Sequence, residues 1–164
     1  MLSLKEIHQL EISESYPAAI EALERRLGGY PDEEETIVRL GFNYWLMAEQ
    51  GERISPNLPR DEYAQRFMKL FHEYYPRFKG SADFCFSFGL GISMFWHFYP
   101  GATECLGKDL LKQAAKLDSF YKPFATASMW FAKFKWFRGR LPSQEELSKR
   151  FAGRGVFARY YNVA

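Results

Sequence analysis

The sequence predicts an all-α fold of stacked antiparallel helix pairs, about six to seven helices in a single domain spanning 1–164. Three observations predict it. Apolar residues recur at i, i+3, i+4 and i+7 through most of the chain. Breakers stand between these periodic stretches, at Gly28-Gly29, Pro31, Gly51, Pro76, Pro100-Gly101 and Gly139. The breakers themselves recur, at Pro31, Pro76 and near Ser119, intervals of 45 and 43 residues, a range typical of helical repeat arrays.

Taken in order, Ser13 or Ser15 caps a first helix from about Tyr16 to Gly28, in which Ile20, Leu23 and Leu27 form one stripe and Gly28-Gly29 stop the chain. Asp32 to Glu35 supply carboxylates at the start of a second helix, whose apolar face is Ile37, Leu40, Tyr44 and Met47 and which runs to Gly51. Pro56 and Pro59 make Glu52 to Arg60 an extended loop. Asp61 starts a third helix bearing Tyr63, Phe67, Leu70, Phe71 and Tyr74, which Pro76 should end. A fourth, Ser81 to Tyr99, is apolar nearly all round and so belongs in the middle of the packing. A fifth spans Thr103 to Leu117 on Leu106, Leu110 and Ala114, and a sixth Tyr121 to Arg138 on Phe124, Trp130, Phe131 and Phe134. Ser143 with Glu146 three residues on is a capping box for a short seventh helix ending near Phe151. The tail after Gly155 alternates apolar and polar residues and is read as a short strand or extended arm.

Aromatics make up 18% of the 164 residues, with 16 Phe, 10 Tyr and 4 Trp, an apolar load that excludes a disordered chain and supplies a core without metal or disulfide. Cys85 and Cys105 match no metal or redox spacing. The start, MLSLKEIHQLEISES, lacks a basic region followed by an apolar run, and the longest apolar stretch is interrupted by Ser87, Gly89, Gly91, Ser93 and His97. The expectation is a cytoplasmic protein with no membrane contact. The net charge of +2 hides a gradient: residues 1–60 hold 11 acids and 6 bases, 61–120 hold 7 of each, and 121–164 hold 2 acids and 9 bases. In a stacked array, which keeps sequence order in space, these segments should lie at opposite ends.

Leu40-Gly41-x-x-Tyr44, following Pro31, resembles the first-helix signature of a tetratricopeptide repeat, and Ala64, Met68, Phe71 and Pro76 resemble the second-helix pattern. Weaker echoes are Ala19, Leu23 and Pro31 before this unit, and Phe88-Gly89-x-x-Ile92 with Gly107, Leu111, Ala114 and Ser119 after it. Ser128 takes the small-residue place in a further start, so the resemblance covers about residues 16–138, with 143–164 as a terminal helix and tail. Arg26 departs from the pattern. The resemblance implies a right-handed array with a groove lined by the first helix of each pair. It places groove positions on Glu35, Arg39, Phe42 and Trp45, then Asp83 and Ser87, then Lys122, Thr126 and Lys133.

Catalytic and metal chemistry find no support. His8, His72 and His97 lie on separate segments without a second ligand at i+3 or i+4, and Pro76 stands where an HExxH helix would need its second histidine. No serine occupies a GxSxG turn, and Gly89-Leu-Gly91 lacks the third glycine of a dinucleotide loop, so its glycines suit helix–helix contact. No cofactor is expected. The stretch from Trp130 to Arg140 interleaves Lys133, Arg138 and Arg140 with aromatics, a pattern found in single-strand nucleic-acid binders and equally on a packed helix whose basic side chains reach water. Two functions follow. The first is a protein-binding module without catalytic activity, in the form of a dedicated inhibitor such as a bacterial immunity protein that blocks a toxin, or of a scaffold or chaperone-like adaptor. The second is a nucleic-acid binder using the basic C-terminal third.

Overall fold

The structure is a computed structural model that describes residues 1–54, 59–126 and 142–163, with side chains over 1–50, 59–125 and 142–163. Among the described residues there are nine α-helices, two single turns of 3-10 helix and no strand. The all-helical class predicted from apolar spacing is therefore present. The chain forms two compact units, one made of Met1–Tyr63 with Ser143–Ala164, the other of Ala64–Pro142.

The first unit opens with α1 (Leu4–Ile12), a helix the sequence reading does not assign. Its signal is local: Ser3 Oγ accepts from the Glu6 N–H, and the Glu6 carboxylate accepts from the Ser3 N–H at 2.7 Å, a reciprocal box that satisfies two orphan donors. α2 (Tyr16–Gly29) and α3 (Glu34–Ile54) follow. Of the predicted α2 stripe Ile20 and Leu23 are buried and Leu27 is half-buried, while Ile37, Leu40, Tyr44 and Met47 on α3 are all buried. Both connections reverse the chain. Arg26 Nη1 donates to Leu2 O, pairing the end of α2 with the start of α1. Arg26 Nε and Nη2 also hold Glu33 at 2.5 and 2.6 Å, while Tyr44 OH donates to Glu24 at 2.6 Å. Arg26, the departure from the repeat signature, thus clamps the α2–α3 turn.

The same unit is completed from the far end of the sequence. Ser143 and Glu146 form the predicted capping box of α8 (Gln144–Phe151). The following segment is not a strand or extended arm: Val156–Tyr160 is helical, α9. Positive φ values at Gly153 (+73°) and Gly155 (+58°) turn the chain back after α8. Val156, Phe157 and Ala158 are then all buried, which a strand with one face to solvent does not allow. The expected end-to-end separation of charge fails for the same reason, because the basic residues Arg154 and Arg159 lie against the acidic N-terminal segment, on Glu35 and Glu14.

The second unit takes α4 (Arg60–Phe78) from Ala64 onward, and that helix carries Phe67, Phe71 and Tyr74 on its buried face. It does not stop at Pro76. Proline in the last turn forfeits one hydrogen bond yet keeps a helical φ, and the Lys79 N–H still closes on Tyr75 O at 2.9 Å. α5 (Ala82–Phe95), capped by Ser81, is buried continuously from Phe84 to Ile92, as its all-round apolar character predicts, and ends in a 3-10 turn at Trp96–Phe98. Phe71 and Phe67 meet Phe88 with ring centroids 5.6 and 5.0 Å apart. α6 (Glu104–Leu117) packs antiparallel on α5 at two glycines. A β-carbon at Gly89 would sit 2.9 Å from Leu110 Cβ, and one at Gly107 would overlap the Ser93 amide and lie 2.7 Å from its Cα. Backbones come this close only where both side chains are absent. A 3-10 turn at Ser119–Tyr121 leads into α7 (Lys122–Thr126), whose Phe124 stacks edge-on to Phe86 at 4.9 Å. The remainder of the predicted sixth helix, from Ala127, lies outside the described residues, as do 55–58 of the predicted Glu52–Arg60 loop; Glu52–Ile54 instead continue α3 past Gly51, and Arg60 starts α4. No described helix is long and apolar enough to cross a membrane.

Candidate functional site

α3 gathers four of the expected groove residues, Glu35, Arg39, Phe42 and Trp45, spaced along the first turns of a 21-residue helix. Each has a partner, and most of the partners come from the C-terminal segment. Arg154 Nε lies 3.2 and 3.1 Å from the two Glu35 carboxylate oxygens, and Nη2 lies 2.5 Å from Oε2. Phe42 meets Phe157 and Tyr160 at 4.3 and 5.4 Å, and Trp45 at 4.7 Å. Trp45 in turn meets Tyr160 at 5.4 Å. Phe42 and Trp45 are therefore 0% and 1% exposed, and they face the chain's own α9. The face expected to hold a partner is covered in cis.

Beneath the aromatics lies a closed polar cluster. Arg39 and Glu11, 28 positions apart, form an ion pair with side chains 1% and 0% exposed. The Glu11 carboxylate also accepts from Asn43 Nδ2 at 2.7 Å and from the Val156 N–H. Arg39 Nη1 donates to Leu4 O at 3.2 Å, and Asn43 Nδ2 donates to Arg39 O at 2.9 Å. His8 Nδ1 accepts from the Gly155 N–H at 2.8 Å, which leaves the ring proton on Nε2. α1, α3 and the turn before α9 thus share one network, built on residues from both ends of the sequence.

The electrostatics follow from enclosure. Burial pushes the Glu11 carboxyl up, against the pull of Arg39, Asn43 and the Val156 amide, which favour its charged form. Burial lowers the His8 imidazole, and the Arg39 cation lowers it further, so His8 stays neutral and able to accept from Gly155. Tyr160 is pushed up to about 12 by burial and by the Glu49 charge. With Glu11 and Arg39 shut away from water, this cluster holds chain segments together and presents no reactive group to a substrate. A recess of 270 Å³ does open beside α9, between Tyr16, Leu46, Gln50, Val156 and Tyr160, with the Glu14–Arg159 pair at its edge.

The other expected residues lie elsewhere. Asp83 and Ser87 are on α5, where Asp83 accepts from Tyr121 OH and Ser87 is buried. Lys122 is exposed at the start of α7, Thr126 closes that helix, and Lys133 lies outside the described residues. Sequence reasoning missed His8, Glu11, Arg154, Gly155 and Tyr160. The Ser3–Glu6 box could have revealed α1, but no local pattern pairs Glu11 with Arg39 or Glu35 with Arg154, 119 positions apart. No family model matches the chain, and no curated protein or solved structure does either.

Proposed function

We propose that the chain is a protein-binding helical module without catalytic activity, and that its partner is held on the α3 face of the first unit. The observation that carries this reading is the seating of a helical segment on that face through Arg154 on Glu35 and through aromatic pairs on Phe42 and Trp45, arginine and aromatics being the residue types that anchor protein interfaces. The nucleic-acid reading loses support from the same contacts. Arg154 and Arg159, two of the nine bases of the C-terminal third, are neutralised by Glu35 and Glu14, so less positive charge faces solvent than the sequence count implies. The inhibitor form, a bacterial immunity protein against a toxin, is the more specific version of the proposal and rests on the sequence-level expectation alone.

The test is a purified partner, identified by co-purification from the source cell or from the neighbouring gene, titrated against wild type, Glu35→Arg and a Lys133→Glu, Arg138→Glu double variant at low and high salt. Protein binding at the α3 face predicts a loss of at least about tenfold with Glu35→Arg and a mild salt dependence. Unchanged binding by Glu35→Arg, with complete loss in the double variant and a steep log-linear salt slope, would establish the nucleic-acid alternative instead.

A further inference from the structure

We propose that the α1–α3 face is a docking seat for a helical ligand of the pattern Arg-Gly-x-aromatic-x-x-aromatic, and that the chain's own Arg154–Tyr160 is an internal competitor for that ligand. This rests on the protein-binding reading and adds to it the chemistry of the partner and a regulated state of the seat.

The pattern is written in the seated segment. Arg154 takes the Glu35 carboxylate, Phe157 lies on Phe42, and Tyr160 fills the angle between Phe42 and Trp45. Position 155 is fixed by space. A β-carbon there would collide with Glu11 Oε2 and lie 2.6 Å from Arg39 Nη2, and the backbone φ of +58° already favours glycine. The seat therefore reads glycine at this place as well as the charge before it and the rings after it.

Two further features separate the seat from an ordinary core. Beside the rings of Phe42 and Trp45 the segment also covers polar groups, with Arg154 on Glu35, the Gly155 N–H on His8 and the Val156 N–H on Glu11, so exposure of the face returns those groups to water and recovers their hydration. The fit in cis is also incomplete: Trp45 Nε1 and Asn43 Oδ1 are buried without a hydrogen-bond partner among the described residues. A ligand of the same pattern that satisfies those two atoms has an advantage the tail lacks. The tail compensates by being tethered, at an effective concentration on the order of millimolar.

The probe is a fluorescein-labelled peptide of residues 143–163, titrated by fluorescence anisotropy into the full chain. Wild type should bind it weakly, because the tethered tail competes. The Arg154→Glu chain, whose own tail is repelled by Glu35, should bind it at least about tenfold more tightly. The Glu35→Arg chain should prefer a peptide carrying Arg154→Glu over the wild-type peptide, a reversal that misfolding cannot produce. A Gly155→Ala peptide should not bind. The proposal is overturned by an Arg154→Glu chain with wild-type circular dichroism that ignores the peptide, by equal binding of the Gly155→Ala peptide, or by loss of helical signal in Arg154→Glu, which would make the tail an obligatory part of the core. Failure of the peptides while partner capture still depends on Glu35 overturns the internal competitor and leaves the broader reading standing.

Discussion

Replacing Gly155 by alanine concentrates the logic of the first unit into one methyl group. Gly153 supplies the comparison: both have positive φ, but a β-carbon at Gly153 meets nothing within 4 Å. Gly153→Ala should therefore cost only the backbone term, about 1–2 kcal/mol. At Gly155 the methyl collides with Glu11 Oε2, 2.5 Å from Glu11 Cδ and 2.6 Å from Arg39 Nη2. A carboxylate end can often swing aside, but this one is fixed by Arg39, Asn43 and the Val156 amide. Moving it breaks a buried ion pair, at about 3–5 kcal/mol. The total exceeds about 4 kcal/mol, a large fraction of the 5–15 kcal/mol typical of a whole domain. Urea denaturation followed by far-ultraviolet circular dichroism reads both variants. Equal midpoints for the two alanines would refute the close approach of Gly155 to Glu11 and the account of the seat that depends on it.

Three other outcomes are expected. Glu11→Gln leaves the Arg39 cation buried without its counter-charge and should destabilise by about 3–5 kcal/mol in the same urea assay, where a loss under about 1 kcal/mol contradicts the enclosed pair. Gly107→Ala must push α6 off the Ser93 backbone, and its overpacking of about 1–3 kcal/mol outweighs the gain in helix propensity. Gly28→Ala, with open space at its β-carbon, should instead raise the midpoint slightly, so thermal melts of opposite sign check the α5–α6 crossing. The lowered His8 pKa predicts a pH effect: between its folded value and about 6.5 the unfolded chain binds more protons, so the stability present above about 6.5 is lost as pH falls through the folded value. His8→Asn keeps an acceptor near Gly155 without titrating there. Melts at pH 7 and 5 should show a smaller acid loss in that variant than in wild type, and an unchanged loss would remove His8 from the explanation.

What the sequence made legible was whatever is decided within a few residues. Ser143 and Glu146 announce α8 because a capping box is complete within four positions, and the stripe Ile37, Leu40, Tyr44 and Met47 shows which face of α3 turns inward. Gly89 was read as a helix–helix contact because no phosphate-loop partner follows it, and its β-carbon position lies against Leu110. The errors share a cause in distance along the chain. α9 is five residues long and has no strong signal of its own; two glycines with positive φ and the docking of Phe157 on Phe42 make it a helix. From sequence Glu35 reads as helix-terminal charge, yet it pairs with Arg154, and nothing local to the four groove residues of α3 signals that the same chain covers them. The superhelical order that the tetratricopeptide resemblance implies assumes that neighbours in sequence are neighbours in space. Residues 143–163 break that assumption.

A first unit made of residues 1–63 and 143–164, with a second unit encoded between them, has a consequence for biosynthesis. Chains emerge from the ribosome at about 5–20 residues per second, and segments whose contacts are local can fold as they appear. α4 to α7 are contiguous and qualify. α1 to α3 do not, because Glu11, Arg39 and Phe42 wait about 100 residues beyond the end of α3 for Gly155 and Phe157 to be made, an interval of about 5–20 seconds at those rates. During that interval Phe42 and Trp45 lack the cover that Phe157 and Tyr160 later supply, so their rings are left open to water or to a chaperone.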